Sequence, residues 1–485
     1  MENNIKKKVF GGLVWRFAER CGAQGVNFIV SIILARLLAP DDYGTIALIT
    51  VFINISYVFV SSGFGVALIQ KKDADELDFS TVFFFNLFIA IVCYIILFIS
   101  APYIAEFYNN LQLISVIRVL AITVVLGGVN SIQESLVSKT MQFKKFFLAT
   151  SIGTVLSAIV GIWAAYKGFG VWALVGQQLT NQFFDTVVLW IATGWCPKLK
   201  FSFIRLKRLY SYGWKIFLSS IIDAIYNNIY SLVIGKVYTN EELGFYNKGQ
   251  SFPRLIISNL NTSIDSVLFS ALSIEQNNIE NVKRITRRSI ATSTFIIFPA
   301  MAGLAGLAES LVKILLTEKW LPCVPFLMFS CFVYAFWPIH TANLQAIKAL
   351  GRSDIFLKVE IIKKVIGMTF LVITIPFGIY PMMVGRCIST VISWGINVAP
   401  NKKILKYGWS EQLLDIAPAG ILSVVMFFIV FGVGFLPINQ VLLVILQIIV
   451  GGSSYIFMAS ILKLDIYQYL KSYVIRFCKL KSSKK

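Results

Sequence analysis

The chain has 485 residues, 57% of them hydrophobic and only 14% charged, with a mean hydropathy of +0.75. No soluble protein of that length hides so much apolar surface, so its solvent has to be lipid. The net charge of +20 falls mostly in alternate loops; that is the positive-inside pattern of a membrane protein and excludes a nucleic-acid binder.

Apolar runs of roughly 20 residues cross the hydrocarbon. By that rule the sequence predicts spans near residues 12–39, 44–69, 80–101, 112–137, 146–166, 170–193 and 210–237. Seven more follow near 251–274, 289–311, 322–347, 355–376, 379–400, 414–436 and 440–462. The basic start MENNIKKKVF precedes a long run, charged in its first half and without a small-residue cleavage site. It reads as a retained first helix rather than a removed signal peptide.

Loop charge threads these spans. Lys6–Lys8, Lys71–Lys72, Lys139–Lys145, Lys198–Lys215, Lys283–Arg288, Lys348–Lys358, Lys402–Lys406 and the basic tail share one side. The opposite connections PDDYG, SAPYIAEFYNNLQ, FGIYP and FLPINQ contain no Lys or Arg. Both termini are therefore expected in the cytoplasm. The outward loops are short, which argues against a membrane glycosyl-polymerase or ligase. The seven cysteines lack paired spacing and read as ordinary packing residues.

An internal repeat is visible. The hairpin corner around Pro40-Asp41-Asp42-Tyr43-Gly44 has a faint copy some 200 residues on, in KVYTNEELGFYNKG. Lys236 stands where Arg36 stood, Glu242 for Asp42 and Gly244 for Gly44. Phe169-Gly170-Val171-Trp172 is echoed by Phe377-Gly378-Ile379-Tyr380. Six helices per unit is an even number, so the repeats run parallel and should enclose a cavity between two lobes. The expected fold is all-α: a six-helix lobe over 1–197, a second over 198–405, and two additional helices with a basic tail over 406–485.

Ionisable residues at membrane depth cost roughly 2.5–3.5 kcal/mol and are functional candidates. Arg16 and Arg20 share a face of the first span, with Glu19 beside them. Either they reach the inner headgroups, or they form a cationic floor whose guanidinium forks bind a phosphate. Asp223 and Asp265 fall near mid-span, where a carboxylate is protonated, paired with a cation such as Arg20, or used for a coupling ion. Arg118 and Arg386 lie about two turns from the outer surface and could extend outward. Glu360, Lys363 and Lys364 read as a local ion pair, and Asp185 and Glu134 as solvated near the inner interface. Asn227, Asn228, Asn259 and Asn261 either bond between helices or meet sugar hydroxyls. His340 is the lone histidine and has no ligand-spaced partner, so no metal site is expected. No P-loop, nucleophile triad or nucleotide fingerprint occurs, and no cofactor is expected.

The runs IILARLLAPDDYGTIALITVF, SSGFGVALIQKK, STVFFFNLF, APYIAEFY and SKTMQFKKFF resemble the bacterial polysaccharide exporters of the colanic acid and teichuronic acid type. These belong to the multidrug/oligosaccharidyl-lipid/polysaccharide superfamily. LGFYNKGQSFPRLI and TSIDSVLFSALSIEQ resemble the same family, which often has proline where this chain has Ser270. The likeness covers most of residues 5–280 and thins toward the C-terminus.

It implies twelve to fourteen helices in two lobes forming a V. The implied activity is flipping of an undecaprenyl-pyrophosphate-linked oligosaccharide for O-antigen, exopolysaccharide or capsule. By location, Arg16, Arg20 and Arg386 match the family's cavity cations; Glu19, Asp223, Asn227 and Asp265 are the polar or coupling candidates. The expected partners are the lipid-linked oligosaccharide, membrane lipids and the polysaccharide polymerase machinery. A multidrug or cation antiporter of the same superfamily is the alternative. The surplus of arginine in the first lobe argues against it, and Asp223 and Asp265 argue for it.

Overall fold

The computed structural model describes residues 15, 22–61, 63–71 and 73–472, without the side chains of 211, 212, 215, 216, 263 and 266. These divide into two compact units, one ending at Gly244 and the other beginning at Phe245.

The first unit opens with α1 (Gly22–Leu37). It continues with α2 (Pro40–Ser61), α3 (Phe64–Gln70), α4 (Glu76–Phe107), α5 (Gln112–Leu120), α6 (Ile122–Thr140), α7 (Lys144–Tyr166), α8 (Val171–Thr193) and α9 (Phe203–Val237). Next, α10 (Asn240–Ile274) leads into the second unit. There follow α11 (Ile279–Gly306), α12 (Ala308–Leu316), α13 (Val324–Ala335), α14 (Trp337–Ala349), α15 (Ser353–Thr374), α16 (Ile379–Ile404), α17 (Trp409–Val433) and α18 (Gln440–Ile461).

Every predicted span has a helix. Eleven stretches among the described residues are long and apolar enough to cross a membrane, so the expected count of fourteen is not reached on that measure. The shortfall has physical causes. α8 carries Gln177, Gln178, Asn181, Gln182 and Asp185, whereas α15 carries Asp354, Lys358, Glu360, Lys363 and Lys364. α1 is short over its described part. The ninth and tenth spans are counted among the eleven but are broken: α11 ends at Gly306, and a 3-10 turn over Glu318–Cys323 precedes α13. Proline follows each later break, with Pro325 in the first turn of α13 and Pro338 in that of α14.

The repeated corners are built alike. Asp42 accepts a hydrogen bond from the Ala39 amide at 3.1 Å, and Glu242 accepts one from the Thr239 amide at 3.0 Å. Each corner thus uses a carboxylate three residues on to satisfy an amide at a helix start. Gly44 and Gly244 each lie four residues into α2 and α10, and the two helix starts cross there. A Cβ on Gly44 would overlap the carbonyl of Asn240, and one on Gly244 that of Pro40. Gly170 and Gly378, the other repeated pair, both precede a helix at positive φ, +54° and +109°.

An ion cluster around the buried carboxylate of Asp78 ties α3, α4 and α9 together in the first unit. Asp75 caps α4 by accepting from the Asp78 amide at 3.0 Å, and Asp78 returns the bond to the Asp75 amide at 3.2 Å. The fully buried Asp78 carboxylate also meets Lys71 at 2.5 Å and Arg205 at 3.3 Å. Arg205 pairs with Asp75 as well, and Lys198 with Glu76. The amides of Lys198 and Ser202 donate to Ser80 and Thr81 of α4 at 3.0 and 3.2 Å. Lys139 donates to the carbonyls of Leu68 and Lys71 at the end of α3. The basic loop conspicuous in the sequence is therefore docked on α4.

Asp78→Asn leaves Lys71 and Arg205 short of a counter-charge. Breaking a buried pair costs about 3–5 kcal/mol, and here solvent reaches both cations, so a loss of ~2 kcal/mol is expected in denaturant unfolding of the detergent-solubilised protein. An unchanged midpoint would contradict the cluster's role.

The same cluster sets a pH limit. The hydrogen bond from Arg205 holds the Asp75 carboxyl down at about 2. A carboxyl lowered on folding stabilises above its unfolded value, about 3.9, and that contribution disappears as pH falls toward 2. Thermal stability should be insensitive to this pair from pH 8 to 5 and decline below about 4. Arg205→Gln should flatten that decline.

In the second unit α17 is tied to α11. Arg287 holds Asp415 in a fork at 2.8–3.0 Å, and Lys283 meets Glu411 at 2.8 Å. Tyr407 donates to Asp415 at 2.7 Å, and burial raises its phenol's pKa. Deeper in, Gln412 donates to Asn343 at 2.8 Å and accepts from Trp394 at 3.1 Å, while Asn401 donates to Asn343. Asn343 thus accepts from both Gln412 and Asn401, which specifies how α14, α16 and α17 meet.

Candidate functional site

Long α10 carries a polar stripe on the face it turns into the second unit: Tyr246, Gln250, Asn261 and Asp265. From Tyr246 to Asp265 the stripe runs about 28 Å at 1.5 Å per residue, close to the hydrocarbon thickness. Arg386 of α16 donates to the Tyr246 hydroxyl at 2.8 Å and to the Gln250 amide oxygen at 3.1 Å. Tyr334 of α13 also donates to Gln250, at 3.4 Å. Farther along, Thr341 donates to Asn261 at 2.9 Å, and the Gln345 amide donates to Asp265. His340, on the same helix as Thr341 and Gln345, meets Asn397 at 2.8 Å.

Arg386 is the sequence candidate that the structure places most informatively. Instead of extending outward it is half-buried and turned onto α10. A guanidinium held this way in a membrane protein is oriented before any anion arrives, and its planar fork suits phosphate oxygens.

The remaining candidates scatter. Asp265, for which the sequence leaves open a protonated, a cation-paired or an ion-coupling carboxylate, has the Gln345 amide as a partner. Asp223 and Asn227 occupy exposed positions on α9, whereas Asn228 turns back to the Ala224 carbonyl at 2.8 Å. Asn261 is buried against Thr341 and Asn259 bonds the Leu255 carbonyl, so these amides are engaged inside the protein. Arg16, Glu19 and Arg20 lie outside the described residues. Arg118 lies over Phe98 at 4.3 Å, and Lys363 pairs with Glu360 at 2.5 Å, the local contact expected of it.

The first unit holds a group that the sequence did not single out. Fully buried Asn130 of α6 donates to Glu134 at 3.3 Å and to Asp185 of α8 at 3.0 Å. Two carboxylates sharing one amide can take up a proton or a small cation between them. The i, i+4 spacing of Asn130 and Glu134 was the available signal; Asp185 lies 55 positions farther on.

Comparison with known proteins bears on both units. The sequence profile of a family described as "polysaccharide biosynthesis protein" matches residues 33–325. Teichuronic acid biosynthesis protein TuaB of Bacillus subtilis (strain 168) is 23% identical over 358 residues, 73% of each chain. Among solved structures, the lipid II flippase MurJ in an inward closed conformation superposes with a TM-score of 0.74 at 15% identity. That match covers 93% of this chain and 98% of MurJ. An inward-facing multidrug resistance transporter of the MATE family superposes at 0.61 with 13% identity, covering 79% and 95%. The fold is thus shared by a lipid flippase and a drug transporter.

Proposed function

The chain belongs to the polysaccharide biosynthesis protein family, and from that premise we propose that it flips a lipid-linked oligosaccharide across the bacterial cytoplasmic membrane by alternating access. It is a multi-pass membrane transporter rather than an enzyme. The family match carries this reading, and the MurJ-like fold agrees with it. The substrate is taken to be an undecaprenyl-pyrophosphate-linked repeat unit of a surface polysaccharide. Arg386, oriented by Tyr246 and Gln250, is assigned to the pyrophosphate, together with Arg16 and Arg20. Asp223, Asn227 and Asp265 with Glu19 are retained as polar or coupling positions. Both termini are assigned to the cytoplasm from the loop charges, and the repeats 1–197 and 198–405, with 406–485 appended, are proposed as the units of connectivity. The polymerase machinery is the proposed recipient of the flipped product.

A second reading, a cation-coupled drug antiporter, is favoured by the Glu134–Asn130–Asp185 group. Lipid analysis of a strain lacking the gene separates the two. The flippase reading expects a polyprenyl-pyrophosphate oligosaccharide to accumulate while surface polymer is lost. An unchanged lipid profile with altered drug susceptibility would support the antiporter.

A further inference from the structure

Two cavities in the second unit lie side by side and share Ala305 and Met328. The larger, about 450 Å³, is walled by α11, α13 and α17. Phe298, Phe332, Phe427 and Phe428 line it, with Ala302 and Gly420 leaving the space open. Its volume falls within the ~300–1,000 Å³ of ordinary small-molecule sites.

The smaller cavity, about 190 Å³, changes character, with Glu309, Ser310, Lys313, Gln440 and Gln447 among its lining. Glu309 and Lys313 are paired at 2.6 Å on its rim, Glu309 well exposed, so one anion and one cation stand together. Gln447 is 1% exposed, and its amide nitrogen donates to the Val430 carbonyl at 3.0 Å. Its amide oxygen is fully buried and has no hydrogen-bond donor among the described residues.

We propose that these joined cavities hold one membrane phospholipid with a zwitterionic headgroup, a phosphate diester bearing a primary ammonium. One acyl chain fills the aromatic cavity. The phosphate faces Lys313, and the ammonium donates to Glu309. Charge complementarity selects this occupant. A purely anionic headgroup would meet Glu309 with no cation to offer it, and a polyprenyl pyrophosphate would bring still more negative charge to the same carboxylate. The lipid would pack against α11, α13 and α17 and lie at the junction with α18 that Gln447 bridges.

The test is native mass spectrometry of the purified full-length protein with equimolar phosphatidylethanolamine and phosphatidylglycerol, and separately with undecaprenyl phosphate. Wild type should retain a single phosphatidylethanolamine in preference to the others. Ala302→Phe, which fills the larger cavity, should lower its occupancy about tenfold. Glu309→Gln, on the exposed rim where folding is not at stake, should abolish the preference over phosphatidylglycerol. Equal retention of the two phospholipids by wild type, displacement by undecaprenyl phosphate, or a preference that survives Glu309→Gln would each overturn the assignment.

Discussion

Gly44→Ala lowers the yield of folded protein severely, and Gly244→Ala does the same. At each site the new Cβ would overlap a backbone carbonyl rather than a side-chain tip, Asn240 in the first case and Pro40 in the second. Flexible side chains can turn aside; the starts of α2 and α10 can make room only by separating. Overpacking costs typically 1–3 kcal/mol, and a backbone clash at a helix crossing belongs at or above the upper end, about 3 kcal/mol. The pair should be strongly non-additive, because once one methyl has opened the crossing the second adds little. Gly432→Ala in α17 is the control: no atom lies within 4 Å of the added Cβ, so yield should be normal. Size-exclusion profiles and thermal midpoints of the four variants decide this. A well-folded Gly44→Ala protein would show that the crossing does not constrain the fold.

Arg386→Ala abolishes transport while the protein remains folded and abundant. Its guanidinium contacts Tyr246 and Gln250 and is half-buried, so truncation removes a cation while Gln250 keeps its hydrogen bond from Tyr334. The expected loss is at least tenfold in export. Arg386→Lys should recover a fraction, because a point charge remains without the planar fork. Tyr246→Phe tests the orienting contact; a smaller, several-fold decrease is expected, since it loosens the guanidinium without removing charge. Full export in Arg386→Ala at normal abundance would remove this residue from the site.

The helical architecture was legible in the sequence wherever apolar length decides it. The likeness between Gly44 and Gly244 was also readable, and the structure gives it a physical meaning, since the two glycines serve one crossing. Legibility failed where partners are remote in sequence. Asp78 reads as an ordinary acid in a polar loop, and nothing local announces that Arg205 closes over its end of α4. Arg386 reads as a residue free to reach outward, whereas its partner Tyr246 lies 140 positions away. Asp185 reads as a solvated residue near the inner interface, and its contact with Asn130 was hidden for the same reason. For mid-span Asp265 the sequence leaves open protonation, a cation partner or a coupling ion, and the glutamine amide it meets comes from α14, 80 positions on. The fourteen-span count rested on apolar length, and α8 and α15 are helices too polar to meet that measure alone.

The most direct test of the central claim uses purified protein in vesicles carrying a fluorescent polyprenyl-pyrophosphate oligosaccharide, with the outer-leaflet fraction read by a membrane-impermeant quencher. The account predicts that wild type speeds equilibration between leaflets and that Arg386→Ala does not. No acceleration by well-folded wild type, together with uptake of a cationic drug by the same vesicles, would contradict it.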